Sequence, residues 1–330
     1  MNTPTRGPRP TIHHIATELG ISVSTVSRAL TPGGTVSLET RRRVEDAADR
    51  LGYRANGAAR SLSTGRMHAF GLIVPSLRDP FFAEVAKGAQ MRARGIDHAV
   101  YIADTDRSSE LELEAIDMMR RDVDGFLVCA PLGSDDALRD RLRGTAAVAL
   151  FREVDGMASV TADVSGGIGQ AVQHLRALGH HRIAHVVGPA TSWGARQRRL
   201  AFEHEVSEAD RVLLGPIVDP YEGGIAVADE LLASGASAVI AYNDINALGL
   251  LARLRARGVG VPEGISVVGF DGLDIATLAT SLTSVSLPRQ AAARSAVDRL
   301  IRMLNDHAEP DSLVLPTQLI VRESTAPHTR

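Results

Sequence analysis

Short polar side chains alternate with apolar ones in the segment ISVSTVSRAL, residues 21–30. Val26 and Leu30 have the spacing of one helix face, which leaves the hydroxyl side chains and Arg28 on the other face. Short hydroxyl side chains allow a helix to approach phosphates and base edges, and an arginine can donate two hydrogen bonds to a guanine. The segment therefore predicts a helix that enters the major groove of DNA, although a surface helix of a small bundle has the same pattern.

The residues around this helix predict two more short helices. Thr11, Ser22 and Ser37 are preferred N-cap types, and each precedes a stretch with helical apolar periodicity. Gly20 ends the first stretch, and Leu38 begins the third, where it is expected to point inward. Two helices joined across a tight glycine turn, the second rich in short polar side chains, are typical of a helix-turn-helix.

Charge is distributed unevenly along the chain. The first 66 residues carry ten arginines, no lysine and five acidic residues, a net charge of +5. Since the whole chain has a net charge of −3, the remaining residues carry −8. A small basic segment attached to a larger acidic body predicts a polyanion-binding module joined to a domain with another task.

From residue 68 onward, apolar strand patterns alternate with amphipathic helical ones, such as residues 80–94 and 166–178. The strand candidates are residues 69–74, 99–103, 125–130, 148–151, 183–187, 212–218, 238–242 and 266–270. Alternating strand and helix units predict an α/β fold with doubly wound parallel sheets. A change of character near Asp163 predicts that this part has two lobes.

Composition limits the class of protein. A chain of 330 residues that is 44% hydrophobic can bury more than one core. The single cysteine, Cys129, excludes an internal disulfide and suits a reducing compartment. Because the sequence has neither a secretory signal pattern nor an apolar run near 20 residues, we expect a soluble cytoplasmic protein that makes no membrane contact.

Three patterns that could indicate nucleotide binding, metal binding or catalysis are weak evidence for these functions. The glycines of residues 166–169 lack the third glycine of a dinucleotide-binding fingerprint. His180, His181 and His185 have no carboxylate or cysteine at ligand spacing, and Cys129 lies in an apolar strand pattern where packing explains it. We therefore expect no enzymatic activity, no cofactor and no metal site.

Seven segments of the chain occur in one order between about Thr11 and Ala326: TIHHIATELGISVSTVSRAL, VSLETRRRVEDAADRLGYRANGAARSL, GLIVPSLRDPFFAEV, HLRALGHHRIAHVVGP, AYNDINALG, ISVVGFDG and LIVREST. In order and spacing they resemble the lactose-repressor (LacI/GalR) family of bacterial transcription regulators. The resemblance implies an all-α helix-turn-helix headpiece, a hinge helix, and a two-lobed sensor similar to periplasmic sugar-binding proteins.

The resemblance also implies a division of the chain. Residues 1–10 would form a disordered tail, residues 11–54 the DNA-binding headpiece, and residues 55–66 the hinge helix and linker. The N-terminal lobe of the sensor would comprise residues 67–163 and 288–315, and the C-terminal lobe residues 164–287 and 316–330. The chain would therefore cross between the lobes near Asp163, Leu287 and Pro316.

Residues that contact DNA are expected in both the headpiece and the hinge. Val23 and Ser24 match the groove-reading positions, and Leu62 matches a leucine that wedges into a base step and kinks the duplex. Ala55 stands where the family commonly has a proline. The complete set of expected DNA contacts is Thr11, Ser22, Val23, Ser24, Thr25, Ser27, Arg28, Tyr53, Asn56, Arg60 and Leu62.

The expected effector site lies at the carboxyl ends of strands, where the lobes of such open sheets face each other. Phe81 and Phe82 are candidates to stack on a sugar ring, and a buried arginine and aspartate can bind vicinal hydroxyls. Asp219 stands where many relatives have an aromatic residue, which leaves the ligand open. The expected effector-binding residues are Asp79, Phe81, Phe82, Arg152, Trp193, Arg196, Asn243 and Asp271.

The sequence thus predicts a sequence-specific DNA-binding transcriptional regulator, a repressor of carbohydrate-uptake or catabolic genes. Its partners would be near-palindromic double-stranded operator DNA, a sugar or sugar derivative, and a second copy of the chain in a homodimer or tetramer. The alternatives are a regulator that responds to a nucleoside, purine or other non-sugar metabolite, and a sugar-binding protein without regulatory role. Whether the effector is an inducer or a corepressor stays open.

Overall fold

The computed structural model of the chain describes residues 10–30, 34–53, 66–306 and 308–328. The chain divides into two compact units, residues 1–67 and 68–330. No helix in these described ranges combines the length and the apolar character that crossing a membrane requires.

The first unit contains three helices with the predicted caps. They are α1 (Ile12–Leu19), α2 (Val23–Leu30) and α3 (Leu38–Leu51). Thr11 and His14 form a capping box at the start of α1, and the Ser37 hydroxyl accepts a hydrogen bond from the Thr40 backbone at the start of α3. Gly20 ends α1 with a φ of 64°, a left-handed conformation that glycine adopts without steric cost.

A small apolar core holds the three helices together. Ile15 of α1, Val26 and Ala29 of α2, and Val44 of α3 are fully buried in it. Leu38 was expected to point inward, but it is 77% exposed, so this prediction is wrong. Leu38 is the first residue of α3, and the buried face of that helix begins later, at Val44.

The second unit contains two six-stranded sheets, each flanked by helices. The first lobe consists of β1 (Ala69–Val74), α4 (Pro80–Arg94), β2 (Ala99–Asp104), α5 (Ser109–Met119), β3 (Gly125–Cys129), α6 (Asp135–Leu142), β4 (Ala146–Leu150), β5 (Ala158–Ala162), α12 (Arg289–Asp306) and β11 (Ser312–Leu315). The second lobe consists of α7 (Val164–Ala177), β6 (Ile183–Val186), α8 (Trp193–Glu205), β7 (Arg211–Leu214), α9 (Pro220–Ala233), β8 (Ala238–Ile240), α10 (Asp244–Ala256), β9 (Ser266–Asp271), α11 (Asp274–Thr280), β10 (Thr283–Ser286) and β12 (Gln318–Ile320).

Equivalent strands occupy the centre of each sheet, β3 and β4 in the first and β8 and β9 in the second. The first sheet has the order β11-β5-β4-β3-β1-β2, with every pair parallel. The second has the order β12-β10-β9-β8-β6-β7, and its edge strand β12 is antiparallel to β10. All six residues of β1 are buried because helices cover both faces of a parallel sheet.

The chain passes between the two sheets three times, and the strands on either side of each passage lie in different sheets. Two of the connecting segments run side by side. The backbone N–H of Asp163 donates to the carbonyl of Leu315, and the Thr317 hydroxyl donates to the carbonyl of Asp163. The Asp163 carboxylate also caps α7 by accepting from the backbone of Gly166 at 2.9 Å.

The predicted α/β class with two parallel-sheet lobes is confirmed, and β1 and α4 have the expected bounds. The strand expected over residues 212–218 ends at Leu214 instead. Gly215 has a φ of 95°, outside the β region, and Pro216 has no N–H for a ladder. β5 and β10 to β12 were not expected, since β5 and β10 each contain a single large apolar residue, and β11 and β12 are only four and three residues long.

Candidate functional site

The expected DNA-recognition surface of the first unit is the outer face of α2. Ser22, Ser24 and Arg28 are exposed, and Val23, Thr25 and Ser27 are half-buried. The Ser22 hydroxyl accepts from the Thr25 backbone at 3.1 Å and lies 2.8 Å from the hydroxyls of both Ser24 and Thr25. This places a cluster of hydroxyl groups at the start of the helix, where backbone N–H groups favour phosphate.

The other residues expected to contact DNA have different surroundings. Thr11 is exposed, and its backbone N–H donates to His14 Nδ1 at 3.0 Å. Val23 and Tyr53 pack partly against the apolar core of this unit, and burial raises the pKa of Tyr53 above its ordinary value. The remaining expected contacts, Asn56, Arg60 and Leu62, lie outside the described residues.

In the second unit, a cavity of about 240 Å³ lies at the carboxyl ends of the strands of both sheets. Six of the eight expected effector-binding residues line it: Asp79, Phe81, Phe82, Trp193, Asn243 and Asp271. The cavity therefore lies where the open-sheet rule places a ligand site.

Aromatic side chains form the wall of the first lobe. Asp79 caps α4 by accepting from the backbone of Phe81 at 3.0 Å, and Pro80 follows as the first helical residue. The ring of Phe81 meets those of Phe82 and Phe151 edge to face, with centroids 5.2 and 4.9 Å away. Such contacts fix the orientation of the rings next to the cavity.

Arg198 organises the wall of the second lobe. Its Nη1 donates to the carbonyl of Tyr242 at 2.6 Å, and its Nη2 lies 3.8 Å from Asp271 Oδ1. The guanidinium carbon lies 4.4 Å from the ring centroid of Phe270 and 4.8 Å from that of Tyr242. Asn243 caps α10 through its side-chain oxygen, so its NH₂ group is the part of the amide left to donate to a ligand.

The carboxyl groups near the cavity have raised pKa values. Burial raises the pKa of Asp271 well above its ordinary range, against the opposing attraction of Arg198. Burial also raises the pKa of Asp79, and its hydrogen bond from Phe81 and its proximity to Arg107 oppose this. Behind the cavity wall, burial raises the pKa of Asp244 to about 6, although the Ser284 hydroxyl donates to it. Burial thus makes ionisation of the carboxyl groups at this cavity less favourable than in water.

Two expected effector-binding residues do not line the cavity, which corrects the sequence prediction. Arg196 is exposed and borders a separate surface depression near Pro189 and Pro216. Arg152 turns away from the cavity, and its guanidinium donates to the carbonyls of Pro131 and Gly133. A strand end or a motif position therefore does not by itself determine the direction of a side chain.

Arg198 was missed, although the sequence contains a signal for it. α8 buries Ala195, Arg198 and Phe202, at positions i, i+3 and i+7 of one helix face. A helix that begins at Trp193 and buries Ala195 must turn Arg198 inward and Arg196 outward. Arg107 and Tyr242 also line the cavity and were not expected there.

The fold and these two sites define a class of protein. A helix-turn-helix unit with a hydroxyl-rich second helix is joined to a two-lobed α/β unit that encloses a small-molecule cavity. The class is that of DNA-binding regulators with a sensor domain.

Comparison with known proteins identifies the family within this class. Residues 11–56 match "Bacterial regulatory proteins, lacI family", and residues 172–325 match "Periplasmic binding protein-like domain". The HTH-type transcriptional regulator DegA of Bacillus subtilis is 30% identical over 336 residues, which cover 97% of this chain and 99% of DegA. The chain belongs to the lacI family and is a helix-turn-helix transcriptional regulator, not an enzyme.

Solved structures agree with this assignment. The lac repressor dimer bound to operator and the anti-inducer ONPF is similar with a TM-score of 0.86 and 26% identity, covering 97% of this chain and 100% of that one. The transcriptional regulator CelR in complex with cellobiose is similar with a TM-score of 0.70 and 30% identity, covering 96% of this chain and 100% of that one.

Proposed function

We propose that the cavity binds an uncharged sugar, and that this sugar controls how tightly the protein represses carbohydrate-uptake or catabolic genes. The observation that carries the proposal is the pairing of Arg198 and Asp271 across the cavity from Phe81 and Phe82. Polar groups in fixed directions on one wall and aromatic faces on the other match the two kinds of surface on a sugar ring.

The charges around the cavity support an uncharged ligand. Arg198 and Asp271 form a pair, so a ligand meets little net charge there. The guanidinium of Arg198 donates and the carboxylate of Asp271 accepts, while each sugar hydroxyl can do both. Asp271 Oδ1 has no hydrogen-bond partner among the described residues, which leaves unmet hydrogen-bonding capacity beside the cavity.

The DNA-binding part of the proposal rests on the exposed face of α2 and on the lac repressor dimer bound to operator. The protein would act in the cytoplasm as a homodimer on near-palindromic operators, with the N-terminal lobe formed by residues 67–163 and 288–315 and the C-terminal lobe by residues 164–287 and 316–330. Residues 55–66 would transmit the change in lobe closure to the headpiece.

A thermal-shift screen of the full chain against neutral sugars, sugar phosphates and nucleosides tests the sensor part of the proposal, because a ligand of the folded state raises the melting temperature. We expect a neutral sugar to give the largest shift. If only phosphorylated or nucleoside compounds shift the melting temperature, the assignment of an uncharged sugar is refuted.

Two variants on the same helix check the site. Arg198→Met removes the guanidinium from the cavity, and losing a charged hydrogen bond of about 1.5–3 kcal/mol should weaken sugar binding by roughly 10- to 100-fold. Arg196→Met is the matched control, because Arg196 is exposed two positions away, and it should leave the affinity within about twofold. Equal losses in both variants would contradict the assignment of Arg198.

Whether the sugar is an inducer or a corepressor can be measured with the same protein and sugar. Coupling between two binding sites is reciprocal. An inducer and operator DNA must therefore weaken each other's binding, whereas a corepressor and operator DNA must strengthen each other's binding. Sugar affinity measured with and without an operator-containing duplex therefore distinguishes the two kinds of effector.

A further inference from the structure

Residues 130–133 follow β3 and form part of the cavity wall, and we call them the wall segment. Ala130 and Leu132 line the cavity, while Pro131 and Gly133 are buried behind it. A buried loop must find partners for its backbone N–H and C=O groups inside the protein. The side chains that bond these backbone groups are therefore the ones that hold Leu132 against the cavity.

Two charged side chains from outside the wall segment supply these partners. Glu112 of α5 is 1% exposed and accepts from the backbone N–H groups of Leu132 and Gly133, each at 3.0 Å. Arg152 donates to the carbonyls of Pro131 at 2.8 Å and Gly133 at 2.6 Å, and it also pairs with Asp135. Neither Glu112 nor Arg152 lines the cavity.

The same two side chains act next to strained backbone. Ala130 has a φ of 44° and Phe151 a φ of 56°, left-handed values that non-glycine residues adopt only at an energetic cost. Both residues line the cavity, and each follows the last residue of a central strand, β3 and β4 respectively. Arg152 directly follows Phe151, so its bonds to the wall segment connect the two strained strand ends.

We propose that Glu112 and Arg152 are positioning residues, which hold Leu132, Ala130 and Phe151 in place and so determine which sugars fit the cavity. This inference rests on the proposed function. Burying charged groups costs desolvation energy, and apolar packing of the same volume is often equally stable, so stability alone does not account for this pair. Four directional hydrogen bonds to one short loop instead fix its geometry.

The test measures sugar affinity through the fluorescence of Trp193, the one tryptophan in the sequence and a cavity-lining residue. D-ribose, D-glucose and cellobiose are titrated into the full-length wild type and into the variants Glu112→Gln, Arg152→Met and Arg152→Lys. Glu114→Gln and Arg139→Met are matched controls, since Glu114 is an exposed neighbour on α5 and Arg139 pairs with Asp136 and Asp155.

We expect Glu112→Gln and Arg152→Met to bind the preferred sugar about tenfold more weakly and to change the ratio of affinities among the three sugars, because displaced wall groups alter pocket shape. Arg152→Lys should recover part of the affinity, since it keeps a cationic donor. The controls should match wild type. A lower melting temperature with unchanged affinities and unchanged ratios would overturn the proposal.

A second readout needs no ligand and separates this inference from the proposed function. Acrylamide quenching of Trp193 in the sugar-free protein should change in Glu112→Gln and Arg152→Met and stay the same in both controls. If wild type binds none of the three sugars, the proposed effector class loses its support, and the quenching result still decides the positioning role. If quenching is unchanged in that case, the positioning role is refuted. If Arg152→Met does not fold, the same measurements are made on Glu112→Gln and Arg152→Lys.

Discussion

Replacing His185 with asparagine is expected to change how the stability of the second lobe depends on pH. His185 lies on β6, is fully buried, and its Nδ1 is 3.1 Å from the carbonyl of Ile240. That carbonyl only accepts, so Nδ1 carries the proton, and Nε2 has no hydrogen-bond partner among the described residues. Burial lowers the pKa of His185 to about 4, and the charges of Arg198 and Arg199 add to this.

The magnitude follows from the difference between the folded and unfolded states. An unfolded histidine has a pKa near 6.5, so between pH 6.5 and 4 the unfolded chain binds more protons than the folded one. His185 therefore lowers stability as the pH falls through this range. At about 1.4 kcal/mol per pKa unit, the loss between pH 7 and pH 4.5 is about 2.5 kcal/mol.

Urea unfolding of wild type and His185→Asn, followed by Trp193 fluorescence at several pH values, measures this loss. Trp193 lies on α8 of the same lobe, and asparagine keeps an amide donor for Ile240 without a titrating group. The variant should be less stable at pH 7, and the difference from wild type should shrink by about 2.5 kcal/mol at pH 4.5. His204→Asn, at an exposed site on α8, is the control. A difference from wild type that stays constant with pH would refute the reasoning.

Two other substitutions test the two binding surfaces. A Cβ at Gly188 would lie 2.2 Å from the ring of Tyr242, so Gly188→Ala should displace this cavity residue. Calorimetric titrations should then show sugar binding that is about tenfold weaker. Gly169→Ala is the control and should leave sugar affinity unchanged, because a Cβ there meets nothing closer than 3.7 Å. Arg28→Met should lower specific DNA affinity by about 1–3 kcal/mol in gel-shift assays with selected duplexes. Arg50→Met, which removes an exposed ion pair with Glu18, should have little effect on DNA affinity. Equal effects of the two substitutions would argue against base reading by Arg28.

Local signals in the sequence were sufficient to predict the headpiece. Cap residues and glycine stops are read by backbone groups within a few residues, so Thr11, Ser37 and Gly20 have the expected roles. Leu38 was the exception, because an apolar residue in the first turn of a helix can lie beyond the packed face. The class of each lobe was also predictable, since buried parallel strands are continuous apolar runs.

The cavity was predicted in its location but only partly in its residues. Strand ends determine where a ligand site forms, which is why Asp79, Asn243 and Asp271 line the cavity as expected. The direction of Arg198 follows the periodicity of α8, whereas that of Arg152 depends on hydrogen bonds from its guanidinium to backbone carbonyls of another loop. Such long-range hydrogen bonds leave no periodic pattern in the sequence.

The proposed sensor wall and the acid sensitivity of the second lobe share one helix. α8 carries Arg198 toward Tyr242 and Asp271, and from the same buried face Phe202 contacts the ring of His185, 5.2 Å between centroids. A proton on His185 would place a buried cation near Arg198, so Arg198 could keep its position only at greater electrostatic cost. A sugar bound to Arg198, as proposed, would stabilise the same arrangement. Acid and sugar should therefore act in opposite directions on α8, because both act through the position of Arg198.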